Sequence, residues 1–111
     1  MATVYNIAVD QGSDFTTTIN LTNDDGVNRD ITSYTARGQL KRSFSSTSNV
    51  AFTTAISNPT GGEVVISLSN AKTANLKYGR YVYDVELVST GTGNVERILE
   101  GIVTVYPEVT K

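Results

Sequence analysis

Between residues 3 and 106 the chain alternates apolar and polar positions with a period of two, interrupted by short clusters of Asn, Asp, Ser, Pro and Gly. Successive side chains of a strand point to opposite faces, so this pattern marks half-buried strands joined by tight turns. The clearest segment is 14–22, where Phe15, Thr17, Ile19 and Leu21 share one face and Thr16, Thr18, Asn20 and Thr22 the other. Similar alternation predicts strands over 3–9, 35–44, 50–56, 64–68, 80–88 and 95–106. Segment 3–9 sets Tyr5, Ile7 and Val9 against Val4, Asn6 and Ala8, and segment 35–44 sends Ala36, Gly38, Leu40 and Phe44 inward. Turn signals stand at Gln11-Gly12-Ser13, at "NDDG" (23–26), at "SNPTGG" (57–62) and at "STGTGN" (89–94). Asn, Asp and Gly tolerate the backbone angles that such turns demand.

One helical stretch interrupts the pattern: "SNAKTANL", 69–76, with Ser69 or Asn70 placed to cap a single turn. It is too short to stand alone and predicts a crossover between sheets. Together these elements predict an all-β protein. It is an antiparallel immunoglobulin-like β-sandwich of about seven strands, with one short helical crossover near 69–76, forming a single domain over 1–111.

Two strands sharpen the reading. In "YGRYVYDVEL" (78–87), Tyr81, Tyr83, Val85 and Leu87 fall on one face and Val82, Asp84 and Glu86 on the other. Keeping the carboxylates wet turns both tyrosines inward, where each hydroxyl needs an acceptor. A tight crossover, a glycine and a tyrosine at the start of a strand have the look of a tyrosine corner, with Gly79 and Tyr81 as its residues. The last strand, "RILEGIVTVYP", is apolar on both faces: Leu99, Val103 and Val105 on one, Ile98, Ile102 and Tyr106 on the other. The second face needs a cover, from the crossover, the N-terminal segment or another subunit. Candidate subunit contacts are therefore Val4, Tyr5, Ile98, Ile102 and Tyr106, with Asp24, Asp25 and Arg29 as a polar rim.

Composition narrows the function. A net charge of −2 argues against non-specific attraction to nucleic acid or to an anionic membrane. The absence of histidine and cysteine excludes Ser-His and Cys-His nucleophiles and thiolate metal sites. Asp24, Asp25 and Asp30 lack the spacing of a calcium loop and read as a solvated turn. Asp84 and Glu86 read as partners in cross-strand salt bridges with Arg97 or Lys residues. The N-terminus has neither the charged nor the apolar region of a signal peptide, and no apolar run is long enough to span a membrane. No enzyme activity, cofactor or metal is expected.

The order of motifs resembles a recurrent domain of tailed-phage virion proteins. The match runs through Gln11-Gly12-Ser13-Asp14-Phe15, Gly26, Asp30-Ile31-Thr32-Ser33-Tyr34 and Ala36 through Arg42. It continues through "GGEVVISLSNAKTANLKYGRYVYDVEL" and "VERILEGIVTVYPEVTK", covering essentially the whole chain. Such domains are similar to the Ig-like N-terminal modules of phage baseplate and tail proteins. The resemblance implies a non-enzymatic structural protein of a virion (baseplate, tail, neck or capsid-associated) assembled in the host cytoplasm. Its implied partners are other virion proteins and further copies of itself, with no nucleic acid or membrane. It carries no ligand residue over to this chain. The alternative expectation is a carbohydrate-binding or adhesive Ig-like module, with Tyr34, Tyr78 or Tyr106 as exposed platforms.

Overall fold

Each amphipathic strand has an apolar face to bury, and two such layers bury each other. The computed structural model describes residues 3–23, 25–43, 45 and 49–109. Its elements are β1 (Thr3–Val4), β2 (Ile7–Asp10), β3 (Phe15–Asn20), β4 (Tyr34–Lys41), β5 (Val50–Ala51), β6 (Thr53–Asn58) and β7 (Glu63–Leu68). Helix α1 (Asn70–Ala74) follows, then β8 (Gly79–Ser89) and β9 (Val95–Tyr106). The larger sheet runs β1-β9-β8-β4-β5, with β2 continuing the β1 edge along β9, and the smaller runs β3-β7-β6. This is an immunoglobulin-like sandwich. Its core joins Val64, Ile66 and Leu68 of the small sheet to Leu40, Val85, Leu87 and Val103 of the large one, all fully buried.

Three features depart from the expected strands. The segment 50–56 is two strands rather than one. Val50–Ala51 pairs with β4 in the large sheet, whereas Thr53–Asn58 pairs with β7 in the small one. Phe52 sits at the switch, buried and edge-on to Tyr83 at 5.9 Å. The segment 3–9 is also divided, and it runs parallel to β9 where an antiparallel partner was expected. The break falls at Tyr5-Asn6, where the Asn6 side-chain oxygen accepts from the Ile102 amide at 3.1 Å. Phe44, expected inward, lies outside the described residues.

The crossover is a short capped helix, as its length demands. Ser69 is the N-cap and accepts from the Lys72 amide. Thr73 is the only buried polar side chain among the described residues. Its hydroxyl donates to Ser13 O at 2.8 Å and accepts from the Gly12 amide at 3.1 Å. The helix is thereby pinned to the β2–β3 turn. No sequence signal singled out Thr73, because a threonine in a helix usually faces water.

Both inward tyrosines of β8 have acceptors. The Tyr81 hydroxyl donates to Lys77 O, four residues back, at 2.8 Å. Gly79 makes the turn before it with φ +129, and a Cβ there would stand 2.7 Å from the Arg42 guanidinium. That guanidinium lies 4.8 Å over the Tyr81 ring and donates to the Tyr78 and Arg80 carbonyls. Tyr83 donates to Tyr5 O, at the break between β1 and β2. A side chain at Gly101, opposite Tyr83 on β9, would collide with that same carbonyl.

Removing the Tyr81 hydroxyl alone leaves the ring packed and the Lys77 carbonyl without its donor. Tyr81→Phe is expected to lower unfolding free energy by about 1 kcal/mol. Urea denaturation checks this, and an unchanged midpoint would mean that the hydroxyl adds nothing.

Candidate functional site

The outer face of the large sheet gathers most of the predicted contact residues. Val4 is 69% exposed, Tyr106 51%, Tyr5 49% and Ile102 38%. In the register Ile102 stands opposite Val82, Val4 lies beside Glu100, and Asp10 beside Tyr106. The result is a strip of apolar side chains along β9, which is bonded on both sides, and along the N-terminal edge strand beside it.

Ile98 does not belong to it. Expected on the outer face, it is 6% exposed and part of the core. The reason is a β-bulge: Val85 pairs with Leu99 but Glu86 pairs with Arg97, so Ile98 is the extra residue. A bulge shifts the alternation by one, and both Ile98 and Leu99 turn inward. The doubly apolar look of this strand comes partly from that shift.

The rim residues divide as well. Asp24 lies outside the described residues, and Asp25 accepts from the Val27 amide in an exposed turn. Arg29 is bound within the chain: it makes a two-pronged salt bridge to Glu96 at 2.7 and 2.9 Å and lies 5.5 Å over the Tyr34 ring. The Glu96 hydrogen bond raises the Arg29 pKa further, and that same bond holds Glu96 below the usual carboxylate range.

Charges crowd the lower part of the same face. Arg37 pairs with Glu86 at 2.8 Å, and Arg97 reaches Asp84 at 3.4 Å and Glu100 at 3.8 Å. Asp84 sits directly across from Glu100 and two residues before Glu86. Burial first, then Glu86 and Glu100, push its pKa up, while Arg97 and Lys41 pull it back only in part. An open groove of about 470 Å³ lies here, its lining including Arg37, Gln39, Lys41, Asp84 and Glu86. A second, of about 490 Å³, opens at one end of the sandwich between Gln11, Arg42, Lys77, Tyr78, Pro107 and Glu108. Among the described residues no group of three or more Asp or Glu is placed to hold a metal ion.

No protein-family model matches the chain, and no curated protein does. Solved structures share its fold at low identity. InlP of Listeria monocytogenes superimposes with a TM-score of 0.51 at 19% identity over 95% of this chain, which spans 28% of the InlP chain. The NK cell receptor NKp44 gives a TM-score of 0.48 at 12% identity, over 96% of this chain and 99% of that one. A family 123 glycoside hydrolase of Clostridium perfringens gives 0.44 at 12% identity, over 97% of this chain and 24% of that one. These likenesses bear on the fold alone.

Asp84 and Glu96 act on stability with opposite signs. Asp84, with its pKa raised by folding, binds its proton more readily in the native state, so its ionisation destabilises as pH rises past the unfolded value. Glu96, with its pKa lowered, stabilises above the unfolded value, and that gain is lost as pH falls through the folded one. Thermal melts at pH 7 should place Asp84→Asn above the unsubstituted protein and Glu96→Gln below it. Both differences should shrink toward zero at a pH where the carboxylates are protonated, and a pH-independent difference would contradict the assignment.

Proposed function

We propose that the chain is a non-enzymatic structural subunit of a tailed-phage virion, acting by protein–protein assembly. The observation that carries this reading is the exposed strip of Val4, Ile102 and Tyr106 on a ladder-bound sheet face. Apolar side chains held rigidly at the surface suit docking, since little side-chain or backbone freedom is left to lose. The resemblance of the whole chain to a virion domain supplies the context of a particle. Neighbouring virion proteins and further copies of the chain are the partners.

Ile102→Asp introduces a charge into the strip without touching the core. It should melt close to the unsubstituted protein yet fail to enter particles, as read by mass spectrometry of purified virions. Normal incorporation of a folded Ile102→Asp chain would remove this face from assembly.

A second reading, a carbohydrate-binding module, rests on Tyr78. It is exposed beside the end groove with Gln11 and Glu108, whereas Tyr34 is half-buried under Arg29. Glycan-array binding that disappears in Tyr78→Ala, with folding intact, would establish it. An array without any signal would leave Tyr78 no role in recognition.

A further inference from the structure

We propose, beyond the assembly reading above, that β3 is a docking edge at which two copies of this chain join their small sheets. Every other edge among the described residues is short, irregular or covered. β1 and β5 are two residues long, and Lys72 Nζ occupies the Ala51 carbonyl of β5 at 2.8 Å. Beyond β5, the Gly38 and Ala36 carbonyls of β4 accept from the Phe52 amide and the Thr54 hydroxyl. β2 has four residues, and β6 carries a β-bulge between Ile56 and Asn58. Such devices keep an edge from templating another strand. β3 has none of them: its six residues, FTTTIN, pair with β7 without a bulge and include no charge and no proline.

Its backbone is half used. The Leu21 amide donates to Gly62 O at 2.9 Å, one row beyond the β3–β7 pairs. In an antiparallel ladder alternate residues turn both backbone groups toward the same neighbour. Phe15, Thr17 and Ile19 therefore bond β7, and the amides and carbonyls of Thr16, Thr18 and Asn20 point to the open edge. Among the described residues nothing meets them. The inward side chains of β3 are only half-buried, whereas Val64, Ile66 and Leu68 beside them on β7 are fully buried.

The sequence of β3 selects a second copy as the occupant, because the strand matches itself when reversed. A two-fold axis through Thr17, normal to the sheet, sets Phe15 of each copy against Ile19 of the other on the inner face. On the outer face it sets Thr16 against Thr18. Aromatic with β-branched and threonine with threonine are stabilising cross-strand pairs. A two-fold contact opposes each patch to its own copy, and an uncharged strand meets no like charge there. A one-residue slip would turn the inner row outward, which rules out the neighbouring registers. The product is a continuous six-stranded sheet, β6-β7-β3-β3-β7-β6.

Sedimentation velocity of the whole chain, from micromolar to millimolar concentration, tests this. The unsubstituted protein should form a dimer. Thr16 and Thr18 are exposed, so substitutions there should leave the melting temperature nearly unchanged. Thr16→Lys/Thr18→Lys sets like charges directly opposite twice and should weaken the dimer by about tenfold or more. Thr16→Lys/Thr18→Glu sets unlike charges opposite and should restore it. The chain has no cysteine. Thr17→Cys would meet its own copy in a non-hydrogen-bonded pair, with Cα atoms about 4.5 Å apart, and should oxidise to a covalent dimer. Thr18→Cys should oxidise at least tenfold more slowly.

An unsubstituted chain that stays monomeric at millimolar concentration overturns the proposal. So does a Thr16→Lys/Thr18→Glu chain that dimerises no better than Thr16→Lys/Thr18→Lys. The assembly reading fails separately, since Ile102 lies on the other sheet and Ile102→Asp should leave this dimer intact. A monomeric chain whose entry into particles depends on Ile102 would keep that reading and refute this one. A β3-linked dimer whose Ile102→Asp variant enters particles normally would do the reverse.

Discussion

A tyrosine turned into a core has to place its hydroxyl, and β8 turns two of them inward. Neither acceptor lies in a strand: Tyr81 bonds Lys77 O before the strand begins, and Tyr83 bonds Tyr5 O at the break in the N-terminal edge. Each bond therefore ties an irregular segment to the middle of the large sheet. Two glycines make the approaches possible, Gly79 beneath the Arg42 guanidinium and Gly101 beneath the Tyr5 carbonyl. Loss of either hydroxyl leaves its carbonyl acceptor without that donor, at a cost of about 1 kcal/mol. The crossover, the N-terminal edge and the outer face that this edge borders all depend on these two bonds.

Alternation of side chains is a local property, and what it encodes was legible from residues alone. The strands, the capped crossover, the inward tyrosines and the outward Asp84 and Glu86 belong to this class. The departures have non-local causes. Ile98 was misplaced because a bulge depends on how β9 is spaced against β8, and nothing in "RILEG" marks the extra residue. The division at Phe52 was hidden because the alternation passes through it unbroken while the hydrogen-bond partner changes from β4 to β7. The parallel pairing of β2 was equally hidden, since period two does not record strand direction. For the exposed strip, the pattern offered Val4, Ile102 and Tyr106 as contact candidates, and the structure leaves all three exposed. It had no means of finding Arg42 or Thr73, whose roles arise from chain segments about 36 and 60 residues away.

The outer face carries arrangements that folding alone would not favour. Asp84 and Glu100 oppose each other across neighbouring strands, a placement that destabilises a sheet. Arg97 lies between them and offsets part of that repulsion. In the same row Val4, and two residues further along β9 Ile102, stand in water. Scattered exposed apolar residues need no explanation, but these share one face and are flanked by charges of opposite sign.

Rigidity connects this face to the tyrosines. Ile102 and Val82 lie on central strands bonded along both edges, so their positions are set by the ladder. Val4 is different, because β1 is a two-residue strand at the sheet edge with only β9 beside it. Such an edge would fray if the ladder alone held it. It is held instead from beneath, by the Tyr83 hydroxyl on Tyr5 O, and along its length by the Tyr5 amide on Glu100 O at 2.8 Å. The buried ring of Tyr83 thus sets the position of a side chain that faces solvent. That makes the interior of this sandwich part of how its surface is presented.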